Sequence, residues 1–257
     1  MNNVHKQRYK HIENSDTIIV FIHGFTESPN QFLDLEKLVY KKGYSLLNLL
    51  LPGHGKTSKD FYKNGYNQWI NYLDTEVEKI SKLYKNIILV GHSMGCLLGI
   101  NLYLKNKYNI KGIFCINIPF NIRVDFKTFL AGAKICLMPN KIKDDFTKTM
   151  NDRTSVSDRK TFQYIFWIPR YIDLFYLSYK MYFNIKNIKI PTIYLQSYYD
   201  GLVSIKSAIT LKKNIKKYNL KKATIIILKE SGHFEYSKKD KYIIEKSFLT
   251  FIKRIIN

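Results

Sequence analysis

Three residues far apart in the chain have the types that nucleophilic acyl transfer needs: Ser93, Asp200 and His233. Ser93 lies in Gly91-His92-Ser93-Met94-Gly95, a Gly-x-Ser-x-Gly pattern that places a serine on a sharp strand-to-helix turn. Such a turn strains the serine backbone and lifts its hydroxyl clear of a sheet. Glycine is needed on both sides because a side chain there would strike the neighbouring strand or helix. A hydroxyl is a weak nucleophile until a base takes its proton. His233, in Ser231-Gly232-His233, would be that base and then the general acid. Asp200, in Ser197-Tyr198-Tyr199-Asp200-Gly201, would hold its tautomer and stabilise the imidazolium. Singly, each of the three also reads as an ordinary turn or loop residue. In the order Ser, Asp, His, each after a strand, they read as a triad.

Acyl transfer further requires hydrogen-bond donors for the developing oxyanion. The backbone N–H of Met94, just after the nucleophile, is one candidate. That of Phe25, in His23-Gly24-Phe25-Thr26, is the other, with His23 ordering the loop. Gly53-His54-Gly55-Lys56-Thr57 ends like a phosphate-binding loop. That motif needs a glycine where Leu50 stands, so the segment reads as a turn with a structural His54. Cys96, Cys115 and Cys136 form neither a CxxC pair nor a Cys/His cluster, so neither a disulfide framework nor a zinc site is expected.

These residues must be positioned by regular elements, and the hydropathy pattern supplies them. Thr17 to Ile22 is too uniformly apolar for a half-exposed strand and reads as buried. Tyr44 to Leu51, Ile87 to Val90, Ile113 to Ile116, Thr192 to Leu195 and Thr224 to Leu228 repeat that signal. Helical stripes alternate with them. Phe32, Leu35, Leu38 and Val39 form one that Gly43 ends, and Trp69, Leu73, Val77, Ile80 and Tyr84 form the next. Met94, Leu97, Leu98 and Leu102 follow the serine motif. Ala208, Leu211 and Ile215 lie between the last two strands, and Tyr242, Phe248, Phe251, Ile252 and Ile255 close the chain. Repeated β-then-α units imply a mostly parallel sheet with helices on both faces. Residues 120–187 break the alternation, are rich in Phe, Tyr and Trp, and are too long for an ordinary connection. They read as a small helical cap inserted into a core made of 1–119 and 188–257.

The chain carries 42 Lys and Arg against 20 Asp and Glu, a net charge of +22. An anionic partner is one reading. The lysines, however, are spread along the whole chain and no nucleic-acid module accompanies them, so nucleic acid is set aside. A solvated basic surface is the plainer reading, and peripheral contact with an anionic membrane stays open. The polar start, Met1 to Asp16, lacks a signal-peptide run, and no stretch is long and apolar enough to span a bilayer. A cytoplasmic location is the expectation, as monomer or homodimer.

Together His23-Gly24-Phe25-Thr26-Glu27-Ser28, Leu51-Pro52-Gly53-His54-Gly55, the Ser93 motif, Tyr199-Asp200-Gly201-Leu202-Val203 and Ser231-Gly232-His233 resemble the bacterial carboxylesterase and monoacylglycerol lipase family of the α/β-hydrolase superfamily. The resemblance covers nearly the whole chain outside the cap. It implies an α/β-hydrolase fold, Ser93, Asp200 and His233 as catalytic triad, and Phe25 and Met94 as oxyanion hole. It also implies hydrolysis of short- to medium-chain acyl esters or monoacylglycerols without metal or cofactor, in lipid metabolism. The cap aromatics Phe126, Phe129 and Trp167, with Phe162, Phe175 and Tyr179, would enclose an apolar acyl chain, unless they form the cap's own core. Lysophospholipid or thioester hydrolysis, or acyl transfer to another acceptor, would use the same triad. A non-catalytic binding protein on this scaffold is the alternative of another class.

Overall fold

The structure, a computed structural model, describes residues 5–256. Its seven strands are β1 (Arg8–Lys10), β2 (Thr17–Ile22), β3 (Ser45–Asn48), β4 (Asn86–His92), β5 (Ile110–Ile116), β6 (Thr192–Ser197) and β7 (Ala223–Leu228). They form one sheet in the order β1-β3-β2-β4-β5-β6-β7, parallel throughout except for β1 against β3. The apolar runs expected from sequence all appear as strands, but β7, at the sheet edge, buries only Leu228 fully. The Tyr44–Leu51 run is shortened to β3, although Leu49 and Leu51 beyond it remain buried. The three-residue β1 carries no apolar signal and was not expected. An ion pair at 2.7 Å between Arg8 and the buried Glu36 holds it in place.

Helices α1 (Leu33–Lys41), α2 (Ser58–Lys63), α3 (Tyr66–Ser81), α4 (Met94–Leu104), α5 (Phe126–Leu137), α6 (Asp145–Arg153), α7 (Ile168–Asn184), α8 (Lys206–Lys217) and α9 (Lys238–Ile256) surround the sheet. Strand alternation divides the core in two. Ile18, Val20 and Ile22 of β2 face the apolar stripes of α3, α4 and α7, whereas Ile19 and Phe21 face α1 and α9. Every residue of β2 is therefore buried, which is why its sequence is apolar without alternation. Helix α4 is not the amphipathic helix its stripe suggested. Met94 through Leu102 are all buried, because α3 and α7 cover the side that the sheet does not. Tyr242 of α9, counted in the final stripe, is exposed.

Residues 120–187 carry α5, α6 and α7 between β5 and β6. The insertion is bound to the core at several places. Leu174, Leu177 and Met181 of α7 lie in the same buried cluster as Leu97 and Trp69. The N–H groups of Arg123 and Asp125 donate to the carbonyls of Leu202 and Gly201. Ser155 donates from its backbone to the Thr26 carbonyl and from its hydroxyl to the Glu27 carbonyl, at 2.8 and 2.7 Å.

Candidate active site

Strand β4 runs into the Ser93 turn and α4 leaves it, so the serine stands at the carboxyl end of a central strand, where open α/β sheets place their sites. Ser93 has φ 50° and ψ −119°, a left-handed conformation that costs a non-glycine residue about 1–3 kcal/mol. The flanking glycines make it attainable. A Cβ on Gly91 would lie 2.5 Å from the Cys96 nitrogen, and one on Gly95 would overlap the Ile22 carbonyl oxygen. Gly95→Ala should accordingly destabilise the chain by on the order of 3 kcal/mol, since backbone on both sides must move. A thermal unfolding midpoint within a degree of wild type would contradict this.

Beyond β7 the loop carrying His233 is pinned from α9. The buried Asp240 carboxylate accepts the Glu230 N–H at 2.8 Å and the Ser231 hydroxyl at 2.7 Å. The Ser231 carbonyl in turn accepts the Tyr199 N–H, which joins this loop to the one carrying Asp200. His233 Nδ1 lies 2.7 Å from Asp200 Oδ2, and Asp200 Oδ1 accepts the N–H groups of Leu202 and Val203 at 2.8 and 2.7 Å. A carboxylate held this way can only accept, so Nδ1 carries the proton and Nε2 presents a lone pair. Burial pulls the pKa of His233 down, but the charge and hydrogen bond of Asp200, with the charge of Glu27, outweigh it and leave it above 6.5.

Ser93 and His233 open into one cavity of about 210 Å³. Phe25, Ile122, Val124, Tyr171, Phe175 and Leu202 give it an apolar wall. No hydrogen bond joins the Ser93 hydroxyl to His233 in this structure, a contact that commonly tightens only around substrate. A larger cavity of about 830 Å³ reaches His233 but not Ser93, and charges of both signs line it, Lys127 and Arg153 beside Asp125 and Glu235. Of these two cavities, only the smaller one is lined by both Ser93 and His233.

The 23–27 loop, which carries the expected oxyanion donor Phe25, is fixed by buried polar side chains. His23 donates from Nδ1 to the Gly24 carbonyl and accepts the Leu51 N–H on Nε2. Burial and the neighbouring His54 push its pKa well below 6.5, so it is neutral. His54, also lowered by burial, donates from Nε2 to the Phe25 carbonyl at 2.6 Å. Among the described residues, no acceptor takes up the N–H of Phe25 or of Met94.

Two further residues were not foreseen. Buried Glu27 lies 2.7 Å from His92 Nδ1, and His92 Nε2 lies 3.2 Å from the carbonyl oxygen of His233. Donor atoms of Glu27, His92 and His233 fall within 4.8 Å of one another, a metal-compatible spacing, but Glu27 is already bonded to His92 and His233 Nδ1 to Asp200. The expected pocket aromatics lie elsewhere. Phe126 and Phe129 on α5 are 75% and 61% exposed, and Trp167 is buried beneath the insertion, donating to the Ser58 hydroxyl. None of the three lines the Ser93 cavity, whereas Phe175 does. The outward turn of α5 sends its phenylalanines to solvent, and the inner wall comes from α7 and the 122–124 segment.

Residues 13–234 match the family model described as serine aminopeptidase, S33. The chain belongs to that family. This S33 chain is 29% identical over 121 residues to a thermostable monoacylglycerol lipase from Bacillus sp. (strain H-257), 47% of the chain and 46% of that protein. It is 27% identical over 133 residues to the phospholipase YtpA from Bacillus subtilis (strain 168), 50% of the chain and 51% of that protein. The match thus spans about half the length of these curated relatives. Among solved structures, the S33 chain superposes on a monoacylglycerol lipase from Paleococcus ferrophilus with TM-score 0.70 at 17% identity, covering 97% of the chain and 98% of the other. A soluble variant of monoglyceride lipase from Saccharomyces cerevisiae gives TM-score 0.71 at 16% identity, over 99% and 96%. At such identities the likeness concerns the α/β-hydrolase fold.

Proposed function

We propose that the chain is a serine hydrolase of carboxylic esters with short to medium acyl chains, monoacylglycerols among them. One observation carries this reading. A strained, cavity-facing Ser93 shares an apolar cavity with a His233 whose other nitrogen is bonded to a buried Asp200. The names of the matched bacterial relatives, a monoacylglycerol lipase and a phospholipase, agree with a lipid ester.

In the mechanism, Ser93 Oγ attacks the ester carbonyl carbon while His233 Nε2 takes its proton. The carbonyl oxygen becomes an oxyanion, held by the N–H groups of Phe25 and Met94. Collapse of this intermediate expels the alcohol, which takes the proton from His233. Water, deprotonated by His233, then attacks the acyl-serine, and the carboxylic acid leaves with Ser93 restored. The apolar wall would hold the acyl chain. Its small volume favours short and medium chains over long ones.

An assay across p-nitrophenyl esters from acetate to palmitate, with monoacylglycerols and lysophospholipids alongside, tests the reading. Turnover should peak below the longest chains. No turnover across the set, together with no labelling by a fluorophosphonate probe, would leave the scaffold a binding protein.

The same reading includes docking on anionic lipid. Among the described residues, 17 of 25 exposed large apolar side chains fall between Val124 and Phe183. The 120–187 segment that bears them carries twelve Lys and Arg against six Asp and Glu. Apolar side chains among cations suit a surface of anionic headgroups over acyl chains. Sedimentation with phosphatidylglycerol vesicles should retain the protein at low salt and release much of it at high salt. Equal binding to purely zwitterionic vesicles would remove the electrostatic part.

A further inference from the structure

We propose that Glu27 and His92 are positioning residues, one buried pair that sets the oxyanion loop, the Ser93 turn and the His233 loop in mutual register. This rests on the hydrolase reading above.

The geometry of His92 decides it. Both ring nitrogens face acceptors, the Glu27 carboxyl at 2.7 Å and the His233 carbonyl at 3.2 Å. Both contacts sit on one rigid ring, so a shift of that ring moves the oxyanion loop and the His233 loop together. Burial pushes Glu27 up, but the charge and hydrogen bond of His92, then the charges of His233 and Arg153, outweigh it and hold it below the ordinary carboxylate range. The same Glu27 oxygen also accepts the Gly24 N–H at 3.0 Å, one residue before the proposed oxyanion donor Phe25. His92 is bonded directly to Ser93 in the chain. One buried pair thus touches the three loops proposed to supply oxyanion donor, nucleophile and base.

Stability alone gives little reason for such a pair. Taking polar groups out of water costs free energy, and an apolar pair of similar size often stabilises as well or better. Fixing geometry is the better account, because misplacing reacting groups by about 1 Å can cost about a hundredfold in rate.

Glutamine at position 27 cannot reproduce the arrangement. Its neutral amide oxygen holds the Gly24 N–H and His92 Nδ1 more weakly than a carboxylate does, and its NH2, if turned to that side, meets a donor. Asparagine at position 92 could reach Glu27 but not His233. Glu27→Gln and His92→Asn are therefore each expected to lower kcat on a p-nitrophenyl ester, and the rate of fluorophosphonate labelling, by roughly 10- to 100-fold. KM should stay within about threefold, because the acyl wall is untouched. The double variant should cost little more than the worse single one, as members of one unit do. Variants that keep kcat while their unfolding midpoints fall would show a pair that only holds the fold, and would overturn the proposal. A wild-type protein that neither turns over esters nor labels would instead overturn the hydrolase reading, before any variant is made.

Discussion

Ser93→Ala is expected to lower kcat on any ester the wild-type protein cleaves by on the order of a millionfold, and to abolish fluorophosphonate labelling. The size follows from the site's division of labour. With the hydroxyl gone, His233 and Asp200 have no nucleophile to activate, and only binding and the oxyanion donors remain to assist water. Folding should be preserved, since the methyl group fits where Cβ already stands and the strained φ is held by the surrounding backbone. Binding of a non-hydrolysable acyl analogue should survive as well. Labelling that persists in Ser93→Ala would assign the nucleophile elsewhere.

Asp200→Asn should be the next largest loss, about 10⁴-fold in kcat. Oδ1 of Asp200 accepts two backbone N–H groups, so the asparagine oxygen is drawn to that side and its NH2 faces His233. The imidazole must then accept on Nδ1 and carry its proton on Nε2, where it can no longer receive one from Ser93. The pH profile gives a second reading of the same change. A base works only when neutral, so wild-type kcat/KM should fall as pH drops through the pKa of His233, which lies above 6.5. Without the Asp200 charge that limb should move to lower pH. An unmoved limb with a small loss of rate would show that Asp200 does not govern His233.

Much of this was legible in the sequence because it depends on local order. The Ser93 turn needs a buried strand before it and glycines around it, and Ile87 to Gly95 spells both out. Asp200 and His233 could be placed because each follows a strand run. The Glu27–His92 pair was not legible: the partners stand 65 positions apart, and only the parallel pairing of β2 with β4 brings their ends together. Aromatic content did not show which way the insertion's side chains face. Helical spacing held a usable signal, since Tyr171, Leu174 and Phe175 recur at three and four residues and do form the cavity wall. Phe126 and Phe129 have the same spacing and face solvent. Strand β1 is polar and is held by the Arg8–Glu36 pair, which no hydropathy pattern encodes.

The two bonds from Ser155 to the carbonyls of Thr26 and Glu27 make the insertion part of the frame of the proposed site. A hinged flap is free to swing because nothing at the reacting centre feels its position. Here the 155 segment is fastened to the very loop that carries the Phe25 N–H, so lifting it would disturb the proposed oxyanion donor. Linkage then runs in both directions: whatever engages the outer face of the insertion and holds it seated favours the transition state, and a tightly held transition-state analogue favours that engagement to the same degree.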